Sequence, residues 1–328
     1  MQLTRMTYAE DDGLLRLCAD DGTEGWAPGV PSPLAEALID ACQPVLVGQS
    51  PWERDRLWQA CRAAGQRAEL APAAWGHVDI ALWDLLARAQ GLPLFRAMGG
   101  FRDRIPIYRV GSETRDADVV VAEAEAARAE GALGYGLQAV CAEATPDLLR
   151  AIRSEVGADF RILCDGGQRF DLEDALRIGR ALEAIDGHWF AEPLRDGDVG
   201  RLQKLSDALS LPVVAGAFMG DSMPSGTRAL STRAVDRLRV NALDVGGLTA
   251  ALKLARGAEA LQMNCEIHSR SPYGLYASAH VMGAVRNAEL LAVGALPDGF
   301  EPLTLSEGYL QLPAEPGLGL RLAGGGRA

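Results

Sequence analysis

Lysine is nearly missing from this chain. Its 328 residues hold only two, Lys204 and Lys253, beside 30 arginines. A lysine general base or Schiff-base nucleophile therefore has two places to sit, and neither lies in an apolar run that reads as a strand. Excess positive charge is also missing. With 44 Asp and Glu the net charge is −12, the wrong sign for a nucleic-acid surface built of clustered cations. No apolar run approaches the 18 residues of a membrane span, and MQLTRMTYAEDDG has no signal-peptide apolar core. The six cysteines (18, 42, 61, 141, 164 and 265) form no CxxC and no Cys/His cluster, so they read as reduced thiols of a cytoplasmic protein. Expected partners are neither nucleic acid nor membrane.

What is present is a large apolar fraction, 48%, enough for a two-domain protein or one large barrel. The organising stretch runs from Ala73 to Tyr108. Ala74, Val78, Ala81, Leu82, Leu85 and Leu86 recur at the spacing of one helical face. Gly91-Leu92-Pro93 ends that helix, because proline cannot continue it. A short helix at Leu94–Met98 stops at Gly99-Gly100, and a strand at Ile105–Val110 follows. Before this stretch, strands at Met1–Tyr8 and Gly13–Ala19 and helices at Pro33–Cys42 and Pro51–Gly65 make residues 1–104 a small α+β unit.

From Ile105 onward, short apolar runs alternate with helices of about a dozen residues. Strands are expected at Ile105–Val110, Tyr135–Cys141, Arg161–Asp165, Trp189–Glu192, Val213–Ala217, Leu238–Asn241, Met263–His268 and Leu290–Val293. The rhythm predicts an α/β fold, a (β/α)8-type barrel over 105–301 behind an N-terminal α+β capping domain, with an open doubly wound sheet as the alternative. The C-terminal segment 302–328 has the composition of loop and short strand, and Gly324–Ala328 is expected to fray. Both lysines fall on helices of the outer ring, after the fourth and sixth strands. A barrel of this kind has no lysine at its centre.

The Ala73–Tyr108 run and the landmarks LCDGGQ, WFAEPL, LPVVAGA, VGGLT and EIHS, in that order, resemble the enolase superfamily, in its mandelate racemase and muconate lactonizing branch. The resemblance covers nearly the whole chain. It implies one Mg²⁺ held by carboxylates on the third, fourth and fifth strands, stabilising an enediolate while a base removes the proton next to a substrate carboxylate. It also implies a small-molecule carboxylate substrate, a homo-oligomer, and a C-terminal segment, 302–328, that returns to complete the cap. On this sequence the third-strand ligand falls on Asp165, with Gly167 where an Asn is usual. The other two ligand positions fall on Ala191 and Ala217, so no Mg²⁺ site and no other cofactor is expected. Glu192 is turned by alternation to the opposite face, with relocation as a ligand the minor alternative.

The usual second-strand bases fall on Ala139 and Cys141, the sixth-strand position on Asn241, and the eighth-strand acid on Ala292. His268 stands at the racemase-type position, with Asn241 and Glu266 as candidate partners for its ring and Arg109, Arg169, Arg239 and Arg270 as candidate partners for Asp165. Each has a plainer reading: Asp165 as a leftover carboxylate, His268 as a hydrogen-bonded structural residue, Cys141 as packing rather than nucleophile, and Tyr108 as packing. Gly246-Gly247 is either a phosphate loop or a tight turn into a helix. The short link from Tyr8 to Gly13 leaves no room for the lid loop the resemblance implies. Two functions follow. One is a metal-independent isomerase or lyase with His268 as acid/base, helped by Asp165 and Glu266. The other is a non-catalytic binding or scaffold homologue.

Overall fold

The computed structural model describes residues 1–11, 13–195, 198–216, 223–294, 296, 299–301 and 303–323. The expectations for Ala217 and for fraying at 324–328 lie outside the described residues.

The chain opens with three antiparallel strands, β1 (Leu3–Ala9), β2 (Leu14–Ala19) and β3 (Glu24–Ala27), in that order across the sheet. Helices α1 (Ser32–Leu46), α2 (Arg54–Arg67) and α3 (Pro72–Ala89) follow, then the short α4 (Leu94–Ala97). α3 is the organising helix. It is buried almost throughout, with Val78, Leu82, Leu85 and Leu86 in the apolar interior. Between β1 and β2 only residues 10–13 intervene.

The barrel strands are β4 (Arg104–Val110), β5 (Gly134–Gln138), β6 (Arg161–Asp165), β7 (Trp189–Ala191), β8 (Val213–Ala215), β9 (Arg237–Asn241), β10 (Asn264–His268) and β11 (Leu291–Val293). β4 to β10 pair in parallel, each with the next, and β11 pairs in parallel with β4. The Cys265 amide donates to the Asn287 carbonyl, tying β10 to the segment that enters β11. The helices between them are α5 (Ala117–Ala129), α6 (Thr145–Val156), α7 (Leu172–Ala184), α8 (Val199–Ala208), α9 (Met223–Thr232), α10 (Leu248–Ala260) and α11 (Pro272–Ala284). This is the expected (β/α)8 barrel, closed rather than an open doubly wound sheet. Two final strands, β12 (Thr304–Ser306) and β13 (Tyr309–Gln311), form a hairpin whose second strand pairs antiparallel with β4.

Several expected strands are shorter than read. β5 ends at Gln138 instead of Cys141, β8 ends at Ala215, and β10 and β11 each begin one residue later; β7 ends at Ala191, because Glu192 turns the chain with φ +44. All six cysteines are free thiols. Among the described residues no helix is long and apolar enough to cross a membrane.

Buried polar groups join the cap to the barrel. Asp79 on α3 accepts from the Thr249 amide and hydroxyl, both at 2.7 Å, and burial raises its carboxyl to about 7. The Trp58 indole donates to the Gly246 carbonyl at 2.8 Å. A Cβ at Gly247, whose φ is +102, would sit 2.4 Å from the Asp79 carboxylate. The Gly246-Gly247 pair is thus the tight turn into α10 on which the cap docks.

His280 on α11 accepts at Nδ1 from the Phe95 amide (3.2 Å) and its Nε2 lies 3.1 Å from the Leu318 carbonyl, so it links α4 to the C-terminal segment as the neutral Nε2–H tautomer. Burial lowers its pKa to about 4. The unfolded chain binds this proton near pH 6.5 and the folded chain does not. The contribution to stability is therefore full above that pH and lost as pH falls toward 4, about 2 kcal/mol of it by pH 5. Urea melts at pH 7.5 and pH 5 are expected to show the wild type losing about 2 kcal/mol more than His280→Gln. Equal losses would contradict the assignment.

Candidate functional site

Alternation along the strands sends one set of side chains to the barrel axis. Tyr108, Leu163, Trp189, Ala191, Val214, Leu290 and Ala292 form a small apolar cluster there, separate from the main core. The same alternation places Asp165 above Leu163 on β6, Arg239 and Asn241 on β9, and Glu266 and His268 on β10. Asp165 and His268 end their strands, where side chains face the mouth of a (β/α)8 barrel.

That mouth holds a cavity of about 320 Å³ whose lining includes Tyr108, Gln138, Asp165, Arg239, His268 and Ser271. Arg239, 8% exposed, reaches from one layer down into the cavity floor. Its Nη1 donates to Asp165 Oδ2 at 2.7 Å, and its Nη2 lies 3.1 and 3.2 Å from Nδ1 and Nε2 of His268. The second Asp165 oxygen accepts from the Gly167 amide at 2.9 Å. Asp165 and His268, far apart in sequence, are thus joined through a guanidinium. Of the four arginines considered as partners for Asp165, it is Arg239 that pairs with it. Arg109 pairs with Glu130, Arg169 with Glu113 and Arg270 with Asp244.

The electrostatics follow from this contact. Burial opposes the Arg239 charge, but Asp165, Tyr108 and Glu192 outweigh it and the pKa is raised, so the cation is permanent. Burial, then the positive Arg239 and Arg270, lower His268 well below its ordinary value and keep the ring neutral. Burial raises Tyr108 to about 12, so its hydroxyl keeps its proton.

Several expected site residues are not brought together. Glu266 does share the inward face with His268, but two residues back along a strand lie about 6.6 Å deeper. There it accepts from Arg237 at 2.9 Å and from the Glu289 amide at 3.0 Å. Burial raises its pKa against the pull of Arg237. It balances a charge beneath the site and does not orient the imidazole. Asn241 lies beside His268 in register, yet its Oδ1 accepts from the Leu243 and Asp244 amides, capping the turn that leaves β9. Cys141 sits in the loop after β5, outside the cavity lining, and its thiol donates to Glu143 at 2.9 Å. Ala139 is wholly buried in the main core on the helix side. Gln138 is the β5 residue at the mouth. The sequence reading missed it by one position; pairing Gln138 with Asp165 fixes the register.

Among the described residues, the groups at the mouth do not offer the ligand set of an octahedral Mg²⁺. Both Asp165 oxygens are engaged, the neighbouring inward position is Ala191, and a permanent cation stands at the Asp165 carboxylate. Glu192, just past the end of β7, accepts at Oε1 from the Gly216 amide at 3.0 Å. Among the described residues no group of three or more His, Cys, Asp or Glu is arranged to hold a metal.

The closed barrel, its α+β cap and an inward acid and histidine at strand ends define a class of capped barrel proteins. Residues 2–99 match the mandelate racemase / muconate lactonizing enzyme N-terminal domain and residues 119–324 the enolase C-terminal domain-like family. The chain belongs to the mandelate racemase and muconate lactonizing branch of the enolase superfamily.

It is similar to an L-talarate/galactarate dehydratase of Salmonella typhimurium, 30% identical over 216 residues, which cover 64% of this chain and 54% of that protein. It is also similar to a D-galactarolactone cycloisomerase of Agrobacterium fabrum, 29% identical over 74% of this chain and 66% of the other. The matches thus span between half and two thirds of these two relatives. An L-Ala-D/L-Glu epimerase of Bacillus subtilis is 25% identical over 96% of this chain and 90% of its own. Among solved structures, the L-talarate dehydratase of Polaromonas sp. JS666, complexed with Mg and L-glucarate, superimposes with TM-score 0.85 at 26% identity, covering 95% of this chain and 86% of that one. A mandelate racemase/muconate lactonizing enzyme-like protein of Rubrobacter xylanophilus gives 0.86 at 26% identity, covering 98% and 95%.

Proposed function

We propose that this chain is a metal-independent isomerase or lyase acting on a small hydroxy- or keto-carboxylate, with His268 as the proton-transfer group. The observation that carries this reading is the joining of Asp165 and His268, from opposite sides of the barrel, through Arg239 at the floor of a cavity large enough for a sugar-acid-sized ligand. The named activities of the relatives, dehydration, cycloisomerisation and epimerisation of small acids, support the substrate class. Magnesium in the Polaromonas complex favours a metal route in that protein. In this chain the Arg239–Asp165 pair favours a route without one.

In this reading His268 is neutral and ready to accept a proton. Asp165 holds the guanidinium in place, and the Tyr108 hydroxyl and Gln138 amide offer polar contacts to ligand hydroxyls. A panel of hydroxy acids and aldarates incubated in D₂O and followed by proton NMR tests it. At least one compound should exchange or turn over, with a rate that stays flat from pH 8 to pH 6 because the base form persists. His268→Asn should lower that rate by about a hundredfold or more. An unchanged rate in the variant would remove His268 from the reaction.

A second reading has one observation in its favour. Arg239 lies against both ring nitrogens of His268, so an imidazolium formed by proton abstraction meets a cation at once. A carboxylate-binding homologue without catalysis would tolerate that contact. Absence of exchange with every compound that binds would favour it.

A further inference from the structure

We propose that Arg239 is the ligand-binding cation of this site, a tethered guanidinium that takes the carboxylate of a small organic acid. The inference rests on the reading above that the mouth accepts a small carboxylate; it does not depend on turnover.

Three features carry it. First, the guanidinium lines the cavity although its Cα lies one layer below the strand ends, so its length delivers the charge to the cavity floor. Second, it is held from two sides, by Asp165 at Nη1 and by His268 at Nη2, and each of these nitrogens carries a second N–H. A planar fork with a donor left on each terminal nitrogen suits a carboxylate. Third, beyond Asp165, which holds the fork, and Glu192, whose charge reaches it, the described axis-facing neighbours bring no further anion to the cavity floor. Glu266 is spent on Arg237 one layer down, and Ala191 and Ala292, both facing the axis, add no carboxylate. The other cation at the mouth, Arg270, is half exposed and paired with Asp244 at 2.6 Å, which makes it the weaker anchor.

Asp165 is a positioning residue in this arrangement. It fixes the fork through one oxygen, while the Gly167 amide fixes the carboxylate through the other. His268 completes the clamp from the Nη2 side of the guanidinium.

Calorimetric titration of the full chain with succinate, L-malate and galactarate, first in EDTA and then with excess Mg²⁺, tests the proposal. At least one probe should bind in EDTA, with no gain from Mg²⁺. Arg239→Met should weaken that probe about thirty-fold or more, and Arg239→Lys, which keeps the charge but not the fork, about three- to ten-fold. Circular dichroism and thermal melts establish that both variants are folded, and Arg270→Met should change binding less than threefold. A probe that binds only with Mg²⁺ overturns the role of Arg239 and leaves the small-carboxylate reading standing. A probe bound equally well by Arg239→Met does the same. Failure of all three to bind under either condition counts against both.

Discussion

Asp84→Ala is expected to destabilise the protein by about 4 kcal/mol. Asp84 is wholly buried on α3, and its two oxygens hold three donors from distant parts of the chain. Oδ2 accepts from the Trp26 amide at 2.9 Å and from Arg88 Nε at 2.7 Å; Oδ1 accepts from the Leu318 amide at 2.6 Å. Burial raises the carboxyl pKa against the pull of Arg88 and the two amides. Gly317 comes so close that a Cβ there would lie 2.2 Å from Oδ1, and its φ of +77 suits glycine alone. The cap strand β3, the helix α3 and the returning C-terminal segment therefore meet on one side chain. Alanine leaves two amides and a partly buried guanidinium without their acceptor. Urea melts should show the full loss for alanine and about half of it for Asp84→Asn, which keeps one good acceptor oxygen. A loss below about 1 kcal/mol would mean the segment is held by other contacts.

Asp165→Asn is expected to tighten binding of the carboxylate probe about tenfold, equal to about 1.4 kcal/mol. At an effective dielectric constant of about 20, removing an anion some 6 Å from the ligand is worth about 3 kcal/mol. Looser positioning of Arg239 offsets part of that gain. The sign is what matters. A carboxylate that served as a metal ligand would lose its ligand and its chemistry when neutralised. A carboxylate that competes with the substrate for a guanidinium releases affinity instead. Calorimetry in EDTA reads the difference, and weaker binding in the variant would contradict the competing role.

Much of the architecture is legible in the sequence because it depends on spacing. The Ala73–Tyr108 run reads as a helix, a break and a strand, and the structure has α3, the proline stop and β4 in that order. The strand-end positions of Asp165 and His268 are legible because the motifs fix their register, and both residues line the mouth. What escapes is depth and reach. Alternation places Glu266 on the correct face but cannot tell the floor of the cavity from the layer beneath it. The adjacency of Asn241 to His268 is legible, but the competing turn at Leu243 and Asp244 that takes its carbonyl is not. Arg239 is legible as one of four candidate partners for Asp165, but nothing local ranks it above Arg109, Arg169 and Arg270. Its role emerges from a side chain long enough to climb one layer to an acid 74 residues away in sequence. The cap-to-barrel hinge follows the family while Ala191 and Arg239 stand beside Asp165 at the mouth, so the fold identifies the family and leaves the chemistry to the side chains.

The most direct measurement is a crystal structure grown in millimolar Mn²⁺ with a bound carboxylate probe and recorded at the manganese absorption edge. The account predicts no anomalous peak beside Asp165, the Arg239 guanidinium in its place, and the probe carboxylate within hydrogen-bonding distance of Nη1 or Nη2. A manganese peak at coordination distance from Asp165, with Arg239 displaced, would contradict it.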